Sequence, residues 1–272
     1  MLNVAILRKT ARDAAGLFVL AVIAILVFET MFVRAMGEFS GEMSQVWLQN
    51  RLVRRMVEML VGYDLASDLT PTTLMTIGLA HPLLYTFQWS FLLTVCTRVI
   101  AGEIDRGTAD LLFSLPVSRT CVYVSTSVVW LTAGLVLAFL PVPGIALGQR
   151  LAPLWMPIDL ARLWMPAVNL YALYVAIGGI TMLVSAVVVR RGVAVAIPLG
   201  IVLASEFVVF LAHMSPVAWQ LMRITLLYYY KPLVVLRSGA WPVSDMLTLL
   251  GIGVACWAAG LLWLRRRDIP AA

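Results

Sequence analysis

The chain reads as an all-α membrane protein with six transmembrane helices. Two observations predict this class. Of its 272 residues, 62% are hydrophobic and only 12% are charged, and its mean hydropathy is +0.94; a soluble domain averages about 45–50% apolar and about 25% charged. The apolar residues also gather into runs of about 20, the length that carries a helix across a bilayer. So few charges cannot cover a soluble globule of this size. That excludes an ordinary soluble enzyme, a disordered chain and a nucleic-acid binder. Six spans use roughly 120 residues, so residues 1–272 are expected to form one transmembrane domain.

The first span is expected over residues 14–33, behind Arg8, Lys9 and Arg12. A charged start before an apolar run is also how a signal peptide begins. This run is too long for one, and no A-x-A cleavage pattern follows Val33, so an uncleaved anchor is expected. Glu29, near the outer end, is expected to snorkel to the interface. In the loop that follows, winding residues 46–61 as a helix gathers Arg51, Arg54, Arg55 and Glu58 on one arc and leaves the rest mainly apolar. That predicts an outer amphipathic helix lying on the membrane or capping the bundle.

Span two is expected over 74–100, kinked at His81-Pro82, with His81 bonded to a neighbouring carbonyl. Span three covers 122–140 and is ended by Pro141 and Pro143. Span four covers 166–189 and is closed by Arg190-Arg191. Span five covers 193–212, and span six covers 246–264 ahead of Arg265-Arg266-Arg267. Residues 214–245, before the last span, carry Trp219, Tyr228 to Tyr230 and Trp241 among Pro216, Pro232 and Pro242. Their apolar stretches are too short to cross, and amphipathic aromatics favour the headgroup level. A re-entrant outer segment of short helices is therefore expected, with Trp155 and Trp164 in the same belt.

The net charge is +6, from 20 Lys and Arg against 14 Asp and Glu. Six spans put both ends of the chain on one side, and that side receives about 11 of the 20 basic residues. The count decides little, but the placement is informative. Basic groups adjoin span ends at Arg8/Lys9/Arg12, Arg190/Arg191 and Arg265–Arg267, while the first opposite loop holds Glu38, Glu42, Glu58, Asp64 and Asp68. Both termini are accordingly expected in the cytoplasm, in a cell (inner) membrane. Cys96, Cys121 and Cys256 are scattered and the two histidines lie in apolar surroundings, so no metal site or disulfide framework is expected.

The most specific stretch joins spans two and three, on the expected cytoplasmic side. Span two is expected to continue into water through Glu103 and Asp105. Gly107 then permits a sharp reversal. Thr108 can cap a new short helix over 108–116, and Asp110 suits the positive end of its dipole. That helix presents Leu111, Leu112 and Leu115 until Pro116 stops it. Ser118 opens span three, with Arg119 at the interface. Charges of both signs, including Arg106, surround the leucines, and nothing nearby in the chain covers them. They can tuck under the bundle or dock into a groove on a cytosolic partner, the rim charges fixing the register.

These residues carry a resemblance. Glu-x-Asp-Arg-Gly-Thr-x-x-Leu-Leu-x-x-x-Pro-Val-Ser-Arg, from Glu103 to Arg119, resembles the cytoplasmic loop of ABC-2 type ABC transporter permeases. The match is sharp over about 17 residues; elsewhere it is one of layout. The resemblance implies a permease subunit of an ATP-driven exporter that works by alternating access, paired with a second copy or homologue. It implies a coupling helix that docks two cytosolic ATPase subunits, and motion of spans one, two and five. ATP and Mg would be bound by those partners; the chain has no G-x-x-x-x-G-K-[ST] loop, so no cofactor of its own and no catalysis are expected.

Two polar groups are candidates for a translocation path, Glu206 in span five and His81 in span two. Glu206 costs about 2.5–3.5 kcal/mol to insert and is expected to face the bundle or a dimer interface, either pairing with a polar neighbour or staying protonated. For it a structural hydrogen-bonding role stands equal to a transport role. Gln88, Thr94, Asn169 and Ser185 read as interhelical polar contacts, and Gly178-Gly179 and Gly251-x-Gly253 as close-packing sites. Two other classes stay open. An intramembrane enzyme would need HExxH, GxGD or repeated acidic clusters, which the sequence lacks. An ion-coupled secondary transporter would show internal repeats and several midplane charges.

Overall fold

Every element among the described residues is helical. The computed structural model describes residues 2–38, 50, 71–109, 117–152, 157–212 and 215–267. The amphipathic helix expected over 46–61, Trp155, and residues 110–116 of the span two–three connection lie outside this set.

In chain order the elements are α1 (Val4–Glu38), α2 (Pro71–Leu79), α3 (Pro82–Arg98), α4 (Ala101–Asp105), α5 (Arg119–Phe139), α6 (Pro141–Leu151), α7 (Leu160–Val187), α8 (Arg191–Ala212) and α9 (Pro216–Met222). A 3₁₀ turn (Leu227–Tyr229), α10 (Pro232–Ser238) and α11 (Val243–Arg266) complete them. Five runs are long and apolar enough to cross a bilayer: α1, α5 continued by α6, α7, α8 and α11. At 35 residues α1 is about 52 Å long, against about 30 Å of hydrocarbon. It starts ten residues before the expected span and carries Arg8, Lys9 and Arg12 on its own first turns.

The segment expected as the second span is not a single helix. The kink expected at His81-Pro82 is a full interruption, with α2 ending at Leu79 and α3 starting at Pro82. Pro82 fits the first helical position, where no N–H is needed. His81 has extended backbone, and its Nδ1 accepts a hydrogen bond from the Leu83 N–H at 3.2 Å. The histidine therefore caps α3; the carbonyl bond expected of it is replaced by a bond from an amide.

α3 and α1 are antiparallel along their shared height. His81 packs on the Phe28 and Phe32 rings at one end, and Arg98 pairs with Asp13 at 3.5 Å at the other.

Two further boundaries differ from expectation. Pro141 does not end the third span, because it occupies the first turn of α6, which continues the same run. The fourth span begins six residues early, at Leu160, because the Asp159 side chain accepts from the Ala161 N–H at 3.2 Å and caps it; Pro166 is tolerated inside. The short helices expected over 214–245 are present as α9, the 3₁₀ turn and α10, the last packed against α7 and α2.

α7 is the hub. Its most apolar stretch is 72% buried, against 22% for both α8 and α11, and it touches α3, α5, α8, α10 and α11. Lipid chains are as apolar as leucine, so helices associate in a bilayer by close packing and polar contacts. The α7–α11 seam works this way: a Cβ on Gly179 would lie 2.0 Å from the Gly253 carbonyl oxygen, and one on Gly260 2.8 Å from the Leu183 Cα. The α1–α6 seam repeats the device. Gly144 and Gly148 face Glu29 and Val33, with no room for a Cβ, and the Thr30 hydroxyl donates to the Gly144 carbonyl at 3.3 Å. Gly251 has nothing within 4 Å, so the close-packing role holds for Gly253 and fails for Gly251.

The lipid-facing sides are apolar. α1 exposes Val19, Leu20, Ile23, Val27 and Met31, and α8 exposes Leu203, Phe207 and Phe210. Some buried polar groups link helices: Gln88 Nε2 donates to the Leu137 carbonyl at 3.0 Å and Asn169 Nδ2 to the Tyr229 carbonyl at 3.1 Å; others, such as Thr97 and Thr181, donate to a carbonyl one turn back in their own helix.

Candidate functional site

One end of the bundle gathers the described charges of the sequence motif. The helix expected to run on through Glu103 and Asp105 is broken, since α3 stops at Arg98 and the chain bends at Val99-Ile100 before α4; Asp105 itself is exposed. The bend is forced by what it docks against. Ile100 and Ala101 are buried, and the Ala101 N–H donates to Ser185 Oγ on α7 at 3.4 Å.

After α4 the reversal is built as the motif spacing predicts. Gly107 has φ +68°, a left-handed conformation that a Cβ opposes. Its N–H donates to the Ile104 carbonyl at 3.0 Å, and the Thr108 N–H to the Glu103 carbonyl at 3.0 Å. Glu103 holds the turn from its other end. Its carboxylate accepts from the Thr108 hydroxyl and from Arg106 Nη2, the latter at 2.8 Å. The Thr108 hydroxyl expected to cap a following helix thus donates back to Glu103. Ala109 beyond it is buried. Of the expected coupling residues, Asp110, Leu111, Leu112, Leu115 and Pro116 lie outside the described residues.

The returning strand of the motif behaves as expected at Ser118, whose Oγ accepts from the Cys121 N–H at 3.1 Å and caps α5. Arg119 does more than sit at an interface. It donates to the Leu264 carbonyl at 3.3 Å and to the Arg267 carbonyl, closing the C-terminus of α11. Arg267 in turn donates to the Ala186 and Val188 carbonyls at 2.6 and 3.2 Å, closing the C-terminus of α7. A cation there meets the negative end of the helix dipole. Partial burial holds the Arg267 guanidinium below its ordinary pKa.

Asp105 supplies the opposite arrangement. Its Oδ2 accepts from the Arg191 N–H at 3.3 Å, placing a carboxylate at the N-terminus of α8. A Cβ on Gly102 would meet the Arg191 side chain at 3.3 Å. The turn is therefore seated on the first residue of α8. Sequence reasoning missed these terminus contacts; the available signal was the cluster of arginines in the last turns and after them.

Only one of the two path candidates lines a groove among the described pockets. Glu206 lines a groove of about 600 Å³ between α3 and α8, with Tyr85 and Trp89 on one wall and Phe207 and Phe210 on the other. His81 is not among its lining residues; it caps α3 against Phe28 and Phe32. The acid expected at the interface, Glu29, is instead fully buried, with neither carboxylate oxygen hydrogen-bonded. α6 and α2 cover it: Gly144 approaches its Cβ and Gly78 its Oε2. Snorkelling needs an open path along the helix, and these two elements close it. Among the described residues no group of three or more His, Cys, Asp or Glu side chains could hold a metal ion.

Comparison of the chain with family models, with curated proteins and with solved structures gives no match to any of the three.

Proposed function

We propose that this chain is the membrane subunit of an ATP-driven transporter of the ABC-2 permease type, with six crossings, the second divided between α2 and α3. One observation carries the reading. Residues 103–108, the first part of the Glu103–Arg119 motif, build a tight turn at the arginine-rich end of the bundle, and that turn is seated through Asp105 on the N-terminus of α8. Basic residues at membrane-span ends favour the cytoplasm, so that end is the cytoplasmic one and both helix ends Val4 and Arg266 face it.

The mechanical consequence follows from helix rigidity. Force applied to the turn passes through Asp105 and Gly102 to Arg191. α8 carries it about 22 Å along 15 residues to Glu206 and the groove wall. A cytosolic ATPase that grips Leu111, Leu112 and Leu115 would thereby change the α3–α8 separation. A second permease subunit completes the pathway.

The test is purification of the tagged chain from its native membrane. The expected result is a co-purifying P-loop ATPase with vanadate-sensitive activity. Each docked leucine is worth about 1.5–3 kcal/mol, so Leu112→Asp should lower recovery of that ATPase by about tenfold or more. Wild-type recovery with this variant would overturn the docking assignment, and absence of any P-loop partner would overturn the transporter reading.

A further inference from the structure

The α3–α8 groove is apolar and aromatic, and it holds one charged side chain. Leu203, Glu206, Phe207 and Phe210 fall on one face of α8, and Tyr85 and Trp89, one turn apart on α3, face them. The Tyr85 and Trp89 rings are stacked at 4.7 Å with 13° between planes, which presents a rigid aromatic wall. Phe207 and Phe210 are 62% and 42% exposed, so the other wall is open to an incoming molecule. Glu206 Oε1 is buried and has no hydrogen-bond partner, and among the described residues no lysine, arginine or histidine lines the groove.

We propose that this groove is a binding site for a lipophilic cation: a molecule with a bulky apolar or aromatic body and a single positive charge. The charge is set by Glu206, whose carboxylate meets no cation among the described residues, and the body by the walls. Aromatic faces attract a cation through the ring quadrupole as well as burying its apolar part. A lipid acyl chain would fill the volume but leave the carboxylate unmatched. A two-fold copy of this chain would offer the same lining in return, and the described residues of that lining include no basic group. As a binding site the groove stands on its own geometry; as the site of a transported substrate it rests on the transporter reading above.

The test is equilibrium binding of radiolabelled tetraphenylphosphonium to the purified full chain in nanodiscs, without an ATPase, against its isosteric anion tetraphenylborate. The expected result is saturable binding of the cation only, weakened about tenfold by Glu206→Gln and several-fold by Trp89→Leu. Leu203→Trp, a change at a 56% exposed position, should block the groove and abolish binding while leaving Glu206 in place. That variant decides the question if Glu206→Gln does not fold. Equal binding of the anion, or cation binding unchanged by Glu206→Gln and Leu203→Trp, overturns the proposal. Cation binding with no P-loop partner at purification would keep the site and remove only the transporter reading.

Discussion

Glycine and glutamate carry the residue-scale argument, because in lipid a missing side chain and a buried carboxyl are the two largest local effects. Gly179 leaves no space for a Cβ against Gly253, whereas Gly251, two residues away, has nothing within 4 Å. Gly179→Val should cost about 3 kcal/mol or more through overpacking. Gly251→Ala should leave stability unchanged or raise it by about 0.5–1 kcal/mol. Thermal unfolding of the two variants in one detergent checks the contrast. Glu29 differs from Glu206 in being fully buried, with Gly78 and Gly144 packed against its side chain. A charge fixed at Glu29 would be enclosed by α6 and α2 without a partner. Glu29→Gln should fold and stay monodisperse, and Glu29→Lys should not, as size-exclusion chromatography would report. That Glu29 lies within the first long apolar helix was legible in the sequence, which sent its carboxyl to the interface. That it is covered was not, because the covering glycines stand 49 and 115 positions away.

Among the elements, the turn between α4 and α5 joins a local motif to a distant helix. Gly107 and Ser118 were readable in advance, since a left-handed turn and an N-cap are made by neighbouring residues. Gly107→Ala should destabilise by about 1–2 kcal/mol, the cost of a Cβ in left-handed backbone. Asp105→Ala removes the acceptor at the start of α8 and should cost about 0.5–2 kcal/mol. Its larger effect belongs to the proposed mechanism: in the assembled transporter ATP hydrolysis should survive while transport falls. Reconstituted vesicles measured for both rates would show it, and parallel loss of the two would mean that Asp105 acts only on folding. The division of α2 from α3 was half legible: Pro82 marked the place, but the capping bond from Leu83 turned an expected kink into a stop.

For the whole molecule the orientation rests on where the basic residues sit and not on their number, since eleven of the twenty fall at one end and nine elsewhere. One end collects Arg8, Lys9, Arg12, Arg98, Arg106, Arg119, Arg190, Arg191 and Arg265–Arg267, and several of these close helix termini or pair with Asp13. If that end is cytoplasmic, cysteines placed at Arg8 or Arg265 should react with an impermeant maleimide only after the cells are opened. A cysteine at Arg162, at the other end, should react in intact cells; the reverse pattern would invert the molecule. Composition and span spacing were enough to establish a helical membrane protein and most of its helix positions, because bilayer thickness and proline geometry act on contiguous residues. Which helices meet, that α7 is the hub, that Glu29 is sealed in, and that the motif turn rests on α8 all required the assembled bundle. In lipid there is no water-driven pattern to mark an inward face. Pairing there is set by shape at contacts such as Gly179 on Gly253, between residues far apart along the chain.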